Sequence, residues 1–401
     1  MTKRDHSILP ALPTALTAAI LVLAAISLAS CNNAFGVFHE IQTEKEQEGT
    51  DTFYETNVKT ITEDSTNYYA AMAKLFYRPV SGSAGDVWSL LKVNGMEDYY
   101  CSGVAADSSG TLYVASAKAT DGTLYGIYST SDSGSTWTNL ISDTAAIASK
   151  YVDALFVAND TLFASTHTIN TESLVGENYY DLYYYDTGTQ AFVLAGSTMT
   201  EMSSCISDVA WDNSIYWAIN KNGAFKGALG SMAADTTSGT PVSSSDRLLE
   251  GLTVDSDNAV RISTYDDYLF TLASGGSAWS STAISESGSY SSSIHLGKLI
   301  EVENGPSADT KPRLVIANNY TPYGYYEYAS DTAILGSKGF LAGSSSVYNS
   351  TIKYKPVISY YLSKDGETLF IGLAAHSTES YGLYSTTFSS SDDAWSGWTA
   401  E

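Results

Sequence analysis

Apolar and polar residues divide this 401-residue chain into three regimes. The first is an apolar run over residues 8–28, preceded by Lys3 and Arg4. The second, residues 32 to about 66, is polar and acidic, with Glu44-Lys45-Glu46-Gln47-Glu48-Gly49 at its centre. It has no sustained apolar period, and only residues 37–47 offer a short helix. As a flexible coil of ~35 residues this segment reaches about 30–35 Å. The third regime, from about residue 67 onward, repeats one order of elements: a polar turn, a short apolar strand, an aromatic strand and a bulky aromatic.

The turn and first strand of the repeat recur as Ser109-Gly110 before Thr111-Leu112-Tyr113-Val114-Ala115 and Asn159-Asp160 before Thr161-Leu162-Phe163-Ala164. Asp212-Asn213, Asp257-Asn258 and Asp365-Gly366 open three more copies, and Asn304-Gly305 opens a looser one ahead of Arg313. Asn, Asp and Gly tolerate the positive φ that tight hairpins demand. Aromatic strands follow around Tyr128, Tyr183, Tyr268, Tyr326 and Tyr384, and Trp137, Phe192, Trp279 and Trp395 close four of the units. Short strands at a period of roughly 45–55 residues predict an all-β fold, a six- or seven-bladed β-propeller of four-stranded antiparallel blades. A β-sandwich does not require this repeated order, and solenoid coils are usually shorter. Six units span about 101–398, and residues 67–95 supply either a seventh blade or strands that complete the last one. The expected domains are a leader (1–30), a tether (31–66) and the propeller (67–401).

The apolar core of the leader runs into Leu28-Ala29-Ser30-Cys31. A basic flank, an apolar core and small residues before the cleavage point mark an export signal. This one resembles the lipobox of bacterial lipoproteins, which implies acylation of Cys31 as the first mature residue. An uncleaved transmembrane anchor is the alternative, since about 20 apolar residues span a bilayer. The resemblance implies a cell-envelope protein tethered to a bacterial membrane by its lipid. Asn32 and Asn33, in place of an inner-membrane retention Asp, lean toward the outer membrane or surface.

Charge narrows the partners. The formal net charge is −24, and loss of Lys3, Arg4 and Asp5 with the leader makes it one unit more negative. Such a field repels nucleic acid and anionic lipid headgroups, so nucleic acid is excluded as an expected partner and the lipid must do the anchoring. After Cys31 only Cys101 and Cys205 remain, with no zinc spacing. They stand at matching places two units apart, so their Cα atoms are expected beyond the ~7 Å reach of a disulfide.

Thr130-Ser131-Asp132-Ser133-Gly134-Ser135-Thr136-Trp137 resembles the Asp-box (BNR) repeat of sialidases and related propellers, and Ala273-Ser274-Gly275-Gly276-Ser277-Ala278-Trp279 a copy without the Asp. The resemblance implies a structural role for Thr130, Asp132, Gly134, Thr136 and Trp137, on turns away from the binding face. The Asp is expected to cap the turn, Gly134 to free its backbone, and Trp137 to be buried. Sialidases also use an arginine cluster, a Tyr–Glu nucleophile pair and an acid Asp. Here the early arginine motif is only grazed by Tyr77-Arg78-Pro79, and the other mature arginines, Arg247, Arg261 and Arg313, lack the family's context.

No catalytic residue, metal site or cofactor is expected. His39, His167, His295 and His376 are scattered and read as loop residues, no nucleophile elbow or phosphate loop is present, and Asp255-Ser256-Asp257-Asn258 reads as turn chemistry rather than a calcium loop. Tyrosines are the candidate binding residues: Tyr179, Tyr180, Tyr320 and Tyr323, read as loop positions that offer aromatic surface to a protein or glycan. The sequence thus points to a monomeric, lipid-anchored, non-catalytic propeller that binds a protein or glycan. The alternatives are a diverged sialidase-like glycoside hydrolase and an assembly factor for exported proteins.

Overall fold

The computed structural model describes residues 53, 57–96, 99–118, 124–141, 146–169, 178–241, 248–284, 295–307, 313–319, 323–329, 332–334, 352, 355–374 and 381–401. Cys31, Tyr320, Arg247, His39 and His376 lie outside these residues. Among the described residues no helix is long and apolar enough to cross a membrane.

Seven antiparallel sheets follow one another along the chain, each a meander of four consecutive strands. Blades 1 to 7 occupy residues 60–90, 100–139, 151–194, 206–234, 249–283, 296–334 and 357–395. The first strand of every blade packs on the first strand of the next, and Val357–Leu362 of blade 7 packs on Thr60–Glu63 of blade 1. The first strands therefore form a closed inner ring. The protein is a seven-bladed β-propeller. The segment before residue 101 is a whole blade, and its first strand starts at Thr60, ahead of the expected position 67. A further strand, Thr399–Ala400, pairs with the third strand of blade 7 at Tyr384 and Ser385.

Each predicted apolar strand is the second strand of a blade, and each aromatic strand is the third. The turn residues take the backbone expected of them, with positive φ at Gly110, Asn159, Asp160, Asn213, Asn258 and Gly366. Seven separate hydrophobic clusters hold the blades together, one at each junction. Face-to-face packing of twisted sheets leaves no single central core, so stability is distributed around the ring.

The junction of blades 7 and 1 is the seam, and no strand is shared across it. Phe370 of blade 7 packs edge-on against Tyr68 and Trp88 of blade 1. Arg78 lies beside all three rings, with its guanidinium carbon 5.3–5.9 Å from their centroids. The carboxylate of Glu401 accepts from Arg78 (3.2 Å), Trp88 Nε1 (3.1 Å) and Ser385 Oγ (2.5 Å). Farther in, Ser359 Oγ donates to the Val58 carbonyl (2.7 Å). The seam is a side-chain clasp around one buried ion pair.

Candidate functional site

In a meander of four strands, the first and third connections lie at one end of the blade, and the second connection and the link to the next blade lie at the other. The ring thus has a turn end and a loop end, and their chemistry differs. At the turn end an aspartate closes the first hairpin of several blades. Asp64 Oδ1 accepts from Thr66 N (2.7 Å) and Asn67 N (2.8 Å), and Oδ2 from Tyr69 OH (2.6 Å). Asp107 does the same with Thr111 N and Tyr113 OH, Asp212 with Ser214 N, Ile215 N and Trp217 Nε1, and Asp255 with Ala259 N and Arg261 Nε. One oxygen satisfies the turn and the other fixes a side chain of the second strand.

These turns are also bonded from blade to blade. Ser133 Oγ donates to Asp64 (2.8 Å), Ser108 N to Asp160 (2.8 Å), and Thr161 Oγ1 shares a hydrogen bond with Tyr216 OH (2.9 Å). Asn213 bonds Asn258, Ser256 N donates to Glu301 (2.6 Å), Asn304 Nδ2 to Gly366 O (2.8 Å), and Lys364 N to Glu63 (2.7 Å). Every junction has such a link, so much of the hydrogen-bonding capacity of the turn end is spent within the ring.

Among the described residues the loop end carries the long connection 195–205 between blades 3 and 4. Its channel mouth is built by a repeated irregularity. In blades 2 to 7 the inner strand is out of register with its neighbour by one extra residue near its start: Ser102, Asp153, Ser207, Glu250, a residue of the Gly297-Lys298 pair, and Ile358. Such bulges re-aim side chains at sheet edges. Lys298 of blade 6 reaches past blade 5 to donate to Asp208 of blade 4 (2.7 Å) and to Ser207 O (2.8 Å). Burial raises the Asp208 carboxyl against the pull of Lys298, and burial likewise raises Glu250 against Lys221 and Lys298. In blade 3 His167 Nδ1 lies 2.8 Å from Asp153 Oδ1, with the His167 ring stacked on Tyr151 at 4.9 Å. Burial, with Asp153 nearby, pushes the Cys205 thiol up to about 11. The mouth is thus a band of partly buried carboxylates, lysines and rings across blades 3 to 6. Among the described residues no group of three or more His, Cys, Asp or Glu side chains could hold a metal ion.

The sequence-predicted residues divide between the two ends. Asp132 caps the outer turn of blade 2: Thr136 N (2.8 Å), Thr136 Oγ1 (2.7 Å) and Thr130 Oγ1 (2.7 Å) all donate to it. The Thr136 bonds, with Thr130, hold its carboxyl down at about 2. Gly134 has φ +90°, and a Cβ there would meet Leu91 at 2.8 Å. Trp137 corrects an expectation, because it is only half-buried and its Nε1 has no acceptor. The outer tryptophans of blades 1, 5 and 7 differ: Trp88, Trp279 and Trp395 are buried, and each donates Nε1 to an acceptor outside its own sheet.

Tyr179 and Tyr180 fall in the third strand of blade 3, Asn178–Asp186, at its loop end, and not in a loop. Tyr179 is exposed, whereas Tyr180 is buried and bridged to Met202, so Tyr180 offers no free surface. Tyr323, also at the loop end, has φ +49° and is partly exposed. His167 is a buried strand residue rather than a loop residue. The described arginines are not brought together: Arg78 pairs with Glu401 (3.2 Å), Arg261 with Asp255 (2.8 Å) and Arg313 with Glu327 (2.5 Å), in different parts of the ring. Cys101 and Cys205 are both free thiols, in blade 2 and just ahead of blade 4.

No protein-family model matches the sequence, and neither does any curated protein. Solved structures do resemble it. PorZ of Porphyromonas gingivalis, described as an essential bacterial surface component of the type-IX secretion system, aligns with TM-score 0.55 at 12% identity, over 82% of this chain and 46% of PorZ. The GH74 enzyme of Niastella koreensis aligns with TM-score 0.55 at 14% identity, over 86% of this chain and 54% of the enzyme. YCF48, solved bound to a D1 peptide, gives TM-score 0.51 at 10% identity, over 84% of this chain and 94% of its own. The likeness is one of fold. This chain spans about half the length of PorZ and of the GH74 enzyme.

Sequence reasoning passed over the mouth residues Asp153, Asp208, Glu250 and Lys298. They belong to the inner strands, whose bulges break the alternation that marks a strand. The signal that could have found them is the segment just before each turn dipeptide, where a short apolar stretch carries a polar residue near its start.

Proposed function

We propose that this protein is a lipid-anchored propeller of the bacterial cell envelope, held at the membrane through Cys31, that binds a partner protein with its loop end. The observation that carries this reading is the unequal chemistry of the two ends. The turn end is knit by its own cross-blade hydrogen bonds, while the loop end combines the long 195–205 connection, the exposed Tyr179 and a partly exposed band of mixed charge. Binding residues are commonly held on loops by a rigid scaffold. Propellers of this fold serve several purposes: PorZ is a secretion-system surface component, YCF48 was solved with a peptide, and the GH74 protein is an enzyme. The fold alone therefore makes no choice, and the reading rests on the residues.

A diverged glycoside hydrolase is the competing function, and Asp208 and Glu250 are the observation in its favour. A carboxyl raised by burial suits a general acid. Against it, Lys298 already neutralises Asp208. Photo-crosslinking amino acids placed at Tyr179 and, separately, at Asp132 decide the binding face. In envelope preparations the expected result is adducts from position 179 and none from 132. Adducts from 132 alone overturn the loop-end assignment, and glycoside turnover abolished by Glu250→Gln replaces it with the hydrolase.

A further inference from the structure

Charge is distributed unevenly between the two ends of the ring. Among the described residues, the turn-end connections carry 13 carboxylates and one lysine, Lys364. Every first hairpin contributes, through an aspartate in blades 1 to 5 and 7 and through Glu303 in blade 6. The loop-end connections, taken with Lys59 at the entry to blade 1, carry seven lysines and four carboxylates. Over the whole sequence between the same strands, the turn end has two basic and 15 acidic residues, and the loop end ten and 13. The formal charge is thus −13 at one end and −3 at the other. Burial would raise Asp64 and Asp212, but the hydrogen bonds of their turns keep both below the ordinary carboxylate value, and bonds from Ser108 lower Asp160. The turn end therefore keeps its charge. An anionic bilayer surface repels such a face within a Debye length of about 8 Å, and repels the loop end far less.

The path of the chain agrees. Val58 and Lys59 lead into the inner strand Thr60–Glu63 at the loop end. Upstream, Phe53 is 1% exposed and packs edge-on against Trp88 (4.9 Å) and Phe76 (5.7 Å) of blade 1. The fold takes hold of the chain there, 14 positions ahead of residue 67. Between Cys31 and Phe53 lie 21 residues, which as a flexible coil reach about 25 Å. Inner strands of four to eight residues, at about 3.3 Å per residue, set the two ends of the ring about 15–25 Å apart. With the turn end toward the membrane, most of that reach would be spent in passing the ring. With the loop end toward it, none is. We infer that the propeller stands with its loop end toward the membrane and its acidic turn end away, so that the partner of the loop end is a protein of that same membrane. The inference rests on the lipid anchor at Cys31 and the loop-end binding face proposed above.

The test uses the lipidated chain purified from bacterial membranes and bound to vesicles of phosphatidylcholine and phosphatidylglycerol. A donor dye is attached through a clickable residue at the exposed Tyr179, on the loop end, or at the exposed Ser131, on the turn end, with acceptors on the lipid headgroups. The donor at position 179 is expected to lie closer to the bilayer than the donor at 131, by about the 15–25 Å that separates the ends. Equal distances, or the reverse order, overturn the inference. Asp257→Lys, Glu303→Lys and Glu367→Lys combined, all at exposed turn-end positions, are expected to narrow the difference, and an unaltered difference overturns the role of charge. A chain that fails to float with the vesicles removes the anchor and the inference with it, whereas a floating chain with the reverse order fails the orientation alone. In envelope membranes, a photo-crosslinker at position 179 is expected to give adducts that survive a carbonate wash. Adducts only to proteins that the wash removes overturn the assignment of the partner to the membrane.

Discussion

Asp235 shows how one carboxylate holds two blades. It sits at the end of the outer strand of blade 4, where it accepts from Thr237 N (3.0 Å), Thr240 Oγ1 (2.8 Å) and, across the junction, Trp279 Nε1 of blade 5 (2.7 Å). Lys226 completes the site at 2.8 Å. Burial alone raises this carboxyl, but Lys226, Thr237 and Trp279 outweigh it and bring it down to about 2. A carboxyl lowered on folding adds stability that is fully present above its unfolded value near 4 and is lost as pH falls toward 2. The contribution near neutral pH is about 2 kcal/mol. Asp235→Asn is therefore expected to lower stability at pH 7 and to flatten the acid limb of the stability profile between about pH 4 and 2. Urea melts across that range measure it, and parallel wild-type and variant profiles would remove Asp235 from the account.

At the scale of the element, the hairpin was the legible unit. Turn dipeptides such as Asp212-Asn213 mark the positive-φ position directly, and the strands after them are short apolar runs buried along their length, as Tyr216–Asn220 is. The capping role of Asp212 itself was less visible, because its second partner, Trp217, sits five residues on and only the folded hairpin brings them to 2.7 Å. The mouth was harder still. Glu250 occupies a bulge, and its neighbours Lys221 and Lys298 come from other blades, so no local window contains the site. Trp137 misled for a related reason: a motif fixes the turn around Asp132, but burial of its tryptophan depends on what the adjoining blade presents. If the turn carboxylate acts as described, Asp212→Ala should cost about 1–3 kcal/mol, since it leaves turn N–H groups and the Trp217 indole without an acceptor. Loss of amide protection confined to blade 4 would accompany it, and a change below about 0.5 kcal/mol would mean that water replaces the carboxylate without penalty.

The whole molecule depends on its seam. The period of the repeat gave the architecture, but residues 67–95 alone could not choose between a seventh blade and strands completing the last one. That choice rests on contacts between residues more than three hundred positions apart, above all Arg78 with Glu401. Removing one partner of a buried ion pair strands the other, a loss of about 3–5 kcal/mol. Glu401→Ala is expected to destabilise the propeller by that amount, with hydrogen exchange rising first in blades 1 and 7. A uniform rise over all seven blades would show instead that the ring opens only as a unit.

The clasp also sets an order of events during synthesis. Blade 1 leaves the ribosome first, and the seam surface formed by Tyr68, Arg78 and Trp88 has to remain in water while six further blades are made. Chains grow at about 5–20 residues per second. The face therefore stays uncovered for tens of seconds, carrying a cation whose partner, Glu401, is added 323 residues later. If the chain is exported as proposed, a propeller that cannot close early remains open enough to be threaded through a translocation pore.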